Sequence, residues 1–71
     1  MNLNLRAFLQ LLKEDFDNNQ ARMAKELGIN RTHINRIITT KGKCAGAIVC
    51  GAIIKYCDKN KLDFRDYIFL L

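Results

Sequence analysis

Arg31, Thr32, Asn35 and Arg36 bring two guanidiniums, a hydroxyl and a carboxamide together within six residues of this sequence. A guanidinium offers a rigid fork of donors, and a carboxamide offers a donor beside an acceptor. On nucleic-acid base edges those patterns match guanine and adenine respectively, each two-bond contact contributing about 1–3 kcal/mol of discrimination. Around them lie Gln20, Asn30, Thr39, Thr40, Lys41 and Lys43, amides, hydroxyls and cations suited to phosphate oxygens. Other chemistries find less support. The single histidine, His33, stands eleven residues before Cys44 and no CxxC pair exists, so no metal site is expected. Cys44, Cys50 and Cys57 are odd in number, which argues against paired disulfides and for thiols buried as small apolar groups in a reducing compartment. No nucleophile stands at a base's spacing and the carboxylates are scattered, so neither enzymatic turnover nor a cofactor is expected.

Charge narrows the partner further. The chain has 71 residues and a net charge of +5, from 12 basic and 7 acidic residues. Between Gln20 and Lys55, Arg22, Lys25, Arg31, Arg36, Lys41, Lys43 and Lys55 face Glu26 alone, seven against one. The segments on either side are near neutral, so the whole surplus lies in the middle of the chain. A concentrated cationic region favours an anionic partner, nucleic acid first and an acidic membrane surface second. The longest nearly apolar run, Cys44 to Ile54, is too short to span a bilayer. Leu3 to Leu12 is interrupted by Asn4, Arg6 and Gln10 and does not read as a secretory leader. A cytoplasmic location is expected, with no membrane partner and no small-molecule substrate. A chain of this length forms one domain with a single small core.

The elements that must position the central residues follow from apolar spacing. Leu5, Phe8, Leu9, Leu12 and Phe16 recur at helical steps and predict a first helix. Asp17 and Asn18 end it, and Asn19 caps a second helix with Met23, Ala24 and Leu27 inward. Gly28 suits the left-handed residue at that helix's end. Asn30 caps a third helix whose inner face is Ile34, Ile37 and Ile38, with Ile29 stapled against Ile34. Thr39 to Lys43 reads as a loop around Gly42. Ala45 to Cys57 is apolar on most sides, so its periodicity fits either a buried helix or strands. Its length of about thirteen residues and the helical context favour helix. Asp63 with Asp66 resembles a capping box opening a short fifth helix, with Phe64, Tyr67 and Ile68 inward. The expected fold is all-α: a compact five-helix domain.

Gln20 to Thr39 has the layout of a helix-turn-helix, two helices joined through a glycine turn with the second polar outside and β-branched inside. Its residues QARMAKELGINRTHINRIIT resemble the lambda-repressor-like, Cro-type (XRE) family of phage and bacterial DNA-binding regulators. The match includes the opening Gln20, Ala24 at the fifth position, Gly28 at the ninth, Ile34 at the fifteenth and Ile37 at the eighteenth. Looser similarity extends from about Leu5 to Ile68. Two departures are Asn18, where members commonly carry an apolar residue, and the longer, charged linker Asp58 to Lys61.

The resemblance implies sequence-specific binding of an operator in double-stranded DNA and a transcriptional regulator, most simply a repressor, phage-encoded or bacterial. By the same resemblance Arg31, Thr32 and Arg36 take the main base-reading positions with Asn35 adjacent, and Gln20 a phosphate contact. Asn30, Thr39, Thr40, Lys41 and Lys43 border the same groove as further phosphate contacts. Family members usually dimerise, and the apolar tail Tyr67 to Leu71 is the candidate homodimer surface, unless it folds back over the first helix. The alternative function is a protein-interaction module of the same fold: an antirepressor, an antitoxin-type partner or an adaptor to the transcription machinery.

Overall fold

Each of the first three helices begins at an asparagine, and that regularity organises the molecule. The computed structural model describes residues 2–43 and 45–69. Strand β1 (Asn2–Leu3) leads into α1 (Leu5–Phe16), where Asn4 Oδ1 accepts from the Ala7 amide at 3.3 Å. Helix α2 (Gln20–Leu27) starts at Asn19, whose Oδ1 accepts from Arg22 N at 3.0 Å. Helix α3 (Arg31–Thr39) starts at Asn30, whose Oδ1 accepts from Thr32 N at 2.9 Å. A short side chain that satisfies one orphan amide is what a helix N-terminus requires. Helix α4 (Ala47–Lys59) differs: Gly46 precedes it and no side chain caps it. The segment left open between helix and strands is therefore helical, displaced two residues C-terminally from its expected range.

The helix ends share a second device. Gly28 takes φ 70°, its amide reaches Lys25 O at 3.2 Å, and Ile29 N reaches Ala24 O at 3.0 Å. That pair of reversed bonds is the Schellman closure. Lys41 repeats it after α3 at φ 55°, with Lys41 N to Ile38 O at 3.3 Å and Gly42 N to Ile37 O at 2.8 Å. Lys61 stands at φ 57° after α4, where Leu62 N reaches Cys57 O at 2.8 Å. Asp17 and Asn18 are left-handed after α1.

Packing gathers Phe8, Leu11, Leu12, Phe16, Met23, Leu27, Ile34, Ile37, Val49, Ile53 and Ile68 into one core, with the buried thiols of Cys50 and Cys57 among them. Cys44 lies outside the described residues. The α1 stripe differs from expectation in one residue: Leu11 is buried and Leu9 is 38% exposed. At about 100° per residue, Leu11 sits on the far side of Phe8 and Leu12 from Leu9, so the stripe turns toward Leu11 and leaves Leu9 at its rim.

The expected fifth helix is corrected. Among the described residues there are four α-helices, and Phe64–Asp66 forms only a 3-10 turn. Asp63 does cap it, accepting from Arg65 N at 2.9 Å, while the Arg65 guanidinium forks onto the same carboxylate at 3.1 and 3.0 Å. The carbonyls of Asp66 and Tyr67 are then taken by Asn4, through Nδ2 at 3.1 Å and its amide at 2.7 Å. The chain extends into β2 (Ile68–Phe69), antiparallel to β1, with Asn2 opposite Phe69 and Leu3 opposite Ile68. Leu3 and Ile68 are thereby buried, so the tail folds back as far as Ile68, and Phe69 remains 51% exposed. Leu70 and Leu71 lie outside the described residues. No helix among the described residues is long and apolar enough to cross a membrane.

Candidate nucleic-acid interface

Ile34 and Ile37 turn wholly into the core, which forces the opposite side of α3 outward. Arg31, Thr32, Asn35 and Arg36 are all exposed there. Gln20, the first residue of α2, is half-buried, and with Arg31, Thr32 and Asn35 it lines one concavity of ≈ 290 Å³. Two helices are needed to build that surface, and the Gly28 turn with the Ile29 and Asn30 bonds sets their angle.

Arg36 does not line that concavity. It lines a second concavity, ≈ 380 Å³, with His33 and the start of α4, Gly46 to Val49. His33 is half-buried, and its Nδ1 is buried without a hydrogen-bond partner among the described residues. The uncapped amino end of α4 beside Arg36 escaped the sequence reading. Gly46 was its only signal, and a glycine there is ambiguous between a tolerated loop residue and a cap with no side chain.

The phosphate-contact candidates divide. Asn30 serves α3 as its cap. The hydroxyls of Thr39 and Thr40 both donate to Arg36 O, at 3.2 and 2.6 Å, closing the end of α3. Lys41 and Lys43 are exposed on the turn that follows. The ion pairs among the described residues are Arg22–Asp17 at 4.0 Å and Arg65–Asp63 at 3.0 Å. Arg31, Arg36, Lys41 and Lys43 thus face solvent without a carboxylate partner among those residues. Arg22 is instead drawn toward α1, with its guanidinium 5.9 Å from the Phe16 ring centre.

Acidic groups gather on another side. Glu14, Asp15 and Asp66 line a ≈ 360 Å³ groove with Tyr67, and it shares no residue with the two basic concavities. Burial pushes the Tyr67 phenol above its ordinary value, and the nearby Cys57 thiol, Asp15, Asp66 and Glu14 add to that. Among the described residues no cluster of histidine, cysteine and carboxylate side chains is placed to hold a metal ion. Comparisons with protein-family models, with curated proteins and with solved structures find no match to this chain.

Proposed function

We propose that this chain is a Cro/repressor-type helix-turn-helix protein that binds double-stranded DNA sequence-specifically and regulates transcription, as a repressor, by occupying an operator. Helix α3 enters the major groove by its amino end. Arg31, Thr32, Asn35 and Arg36 meet base edges, and Gln20 at the amino end of α2 meets a phosphate. Lys41 and Lys43, with Asn30, Thr39 and Thr40, flank the backbone.

The observation that carries this reading is the convergence of Gln20 from one helix with Arg31, Thr32 and Asn35 from the next on a single exposed concavity. The cations around it have no carboxylate to neutralise them among the described residues. A module this small covers few base pairs, so two copies on half-sites about one helical turn apart supply the specificity. Phe69, exposed on the β1–β2 ribbon, is the described tail residue that a homodimer would cover. Selection of bound duplexes from a random pool tests the proposal. A two-fold-symmetric consensus is expected, and recovery of unselected sequence would overturn it.

One observation favours the interaction-module alternative, namely Ile48 at the start of α4, 69% exposed and the most exposed large apolar residue described. Under that reading Ile48→Ser abolishes binding of a protein partner and leaves DNA binding intact.

A further inference from the structure

Helix α3 does not present its arginines on one line. Arg31 and Asn35 share the concavity that reaches the amino end of α2, whereas Arg36 lines the one that reaches the amino end of α4. Helical geometry sets Arg31 and Asn35 on one flank of the exposed arc and Arg36 on the other, with Thr32 between them. At about 100° per residue Asn35 returns to within about 40° of Arg31, and Arg36 stands about 140° away. A helix lying in a major groove turns one flank toward each strand, and the two flanks here have different chemistry.

We infer that the readers are divided between strands: Arg31 and Asn35 hydrogen-bond purines of the strand whose phosphates meet the amino end of α2, and Arg36 pairs with a guanine of the complementary strand. The inference rests on the DNA-reading proposal above and names what the half-site must contain. Arginine only donates, so each arginine requires the paired O6 and N7 acceptors of guanine, while asparagine matches N6 and N7 of adenine. Thr32, whose hydroxyl both donates and accepts, does not choose between bases. The step from Arg31 to Asn35 advances about 6 Å along α3, against a rise of about 3.4 Å per base pair, so guanine and adenine lie at most about two base pairs apart. Adenine pairs with thymine, so the guanine read by Arg36 falls in a neighbouring pair. It appears as cytosine on the first strand. The half-site core is therefore a guanine, an adenine one or two pairs on, and a cytosine close by the adenine. Had all three side chains read one strand, the core would be a run of purines.

The test uses the full chain and the duplex selected from a random pool. Within one half-site, each guanine in turn is replaced by 7-deazaguanine, which lacks the N7 acceptor, in one strand at a time. Affinities are measured by fluorescence anisotropy for the wild type, Arg31→Ala and Arg36→Ala; both residues are exposed, and circular dichroism verifies folding. Substitution in one strand should weaken the wild type by about fivefold or more and leave Arg31→Ala unaffected. Substitution in the other strand should do the same for Arg36→Ala. Both arginines responding to guanines of the same strand within that half-site would overturn the division while leaving DNA reading intact. A pool that yields no consensus would overturn both.

Discussion

Lys41 and Lys61 hold nearly the same left-handed conformation at two helix ends, φ 55° and 57°, but only Lys41 lies in the cationic middle of the chain. Replacing each by glycine separates backbone strain from charge. A side chain at such a φ costs about 1–2 kcal/mol. Glycine removes that cost but loses about 0.4–1 kcal/mol of unfolded-state entropy. The net gain is about 0.5–1 kcal/mol at each site, a rise in melting temperature of about 2–8 °C for a domain of this size. Binding should respond differently. Lys41→Gly removes one phosphate contact, flattening the log–log salt dependence by about 0.9 and weakening binding about eightfold near 0.1 M salt. Lys61→Gly should leave both unchanged. Thermal melts and anisotropy titrations between about 50 and 200 mM salt read the two effects separately. Destabilisation by Lys41→Gly would refute the strain argument, and equal loss of binding in both variants would refute the placement of the interface.

Gly28→Ala should lower stability by about 1–2 kcal/mol, read as a shifted denaturation midpoint, and the loss is purely one of backbone strain, because an added Cβ meets nothing within 4 Å. Stability should fall in alkali. Burial, then the fields of Asp63 and Asp66, raises the Cys57 thiol above 9.0, and burial first also raises Tyr56 and Tyr67 above 10.0. A raised acid contributes fully below its unfolded value and is lost as pH climbs through its folded one, so denaturant midpoints should hold steady to about pH 8 and then decline. Midpoints that rise over that range would contradict the burial of these groups. If the Phe69 face is the dimer surface, Phe69→Ser should shift sedimentation at tens of micromolar toward the monomer; a wild type already monomeric there removes the surface from consideration.

The parts of the fold readable from sequence are those decided within a few residues. Asn19 and Asn30 are short polar side chains just ahead of an apolar repeat, and Gly28 is the residue that escapes left-handed strain. Each interaction closes within three to five residues, so local spacing reveals it. Ile34 and Ile37 fixed the outward face of α3 for the same reason. Position in three dimensions was less accessible. Phe64–Asp66 makes a single 3-10 turn before the chain enters β2, where Asn4, sixty-two residues before Asp66, meets its carbonyl. Nothing near Asp63 announces that distant partner. The left-handed Lys41 and Lys61 were equally silent, since lysine does not advertise a positive φ as glycine does. In the candidate site the four exposed residues of α3 were legible as a set. Their division between two concavities depends on where α2 and α4 begin, and so does the neighbourhood of His33.

The most direct measurement of the central claim is amide chemical-shift mapping of the ¹⁵N-labelled chain during titration with a short duplex that carries a single half-site. The account predicts that shifts concentrate at Gln20, residues 31–36 and 39–43, and the first turn of α4, while Asn2, Leu3, Ile68 and the Glu14–Asp15 side stay in place. Shifts centred on that acidic groove or on the β1–β2 ribbon, with α3 unmoved, would contradict it.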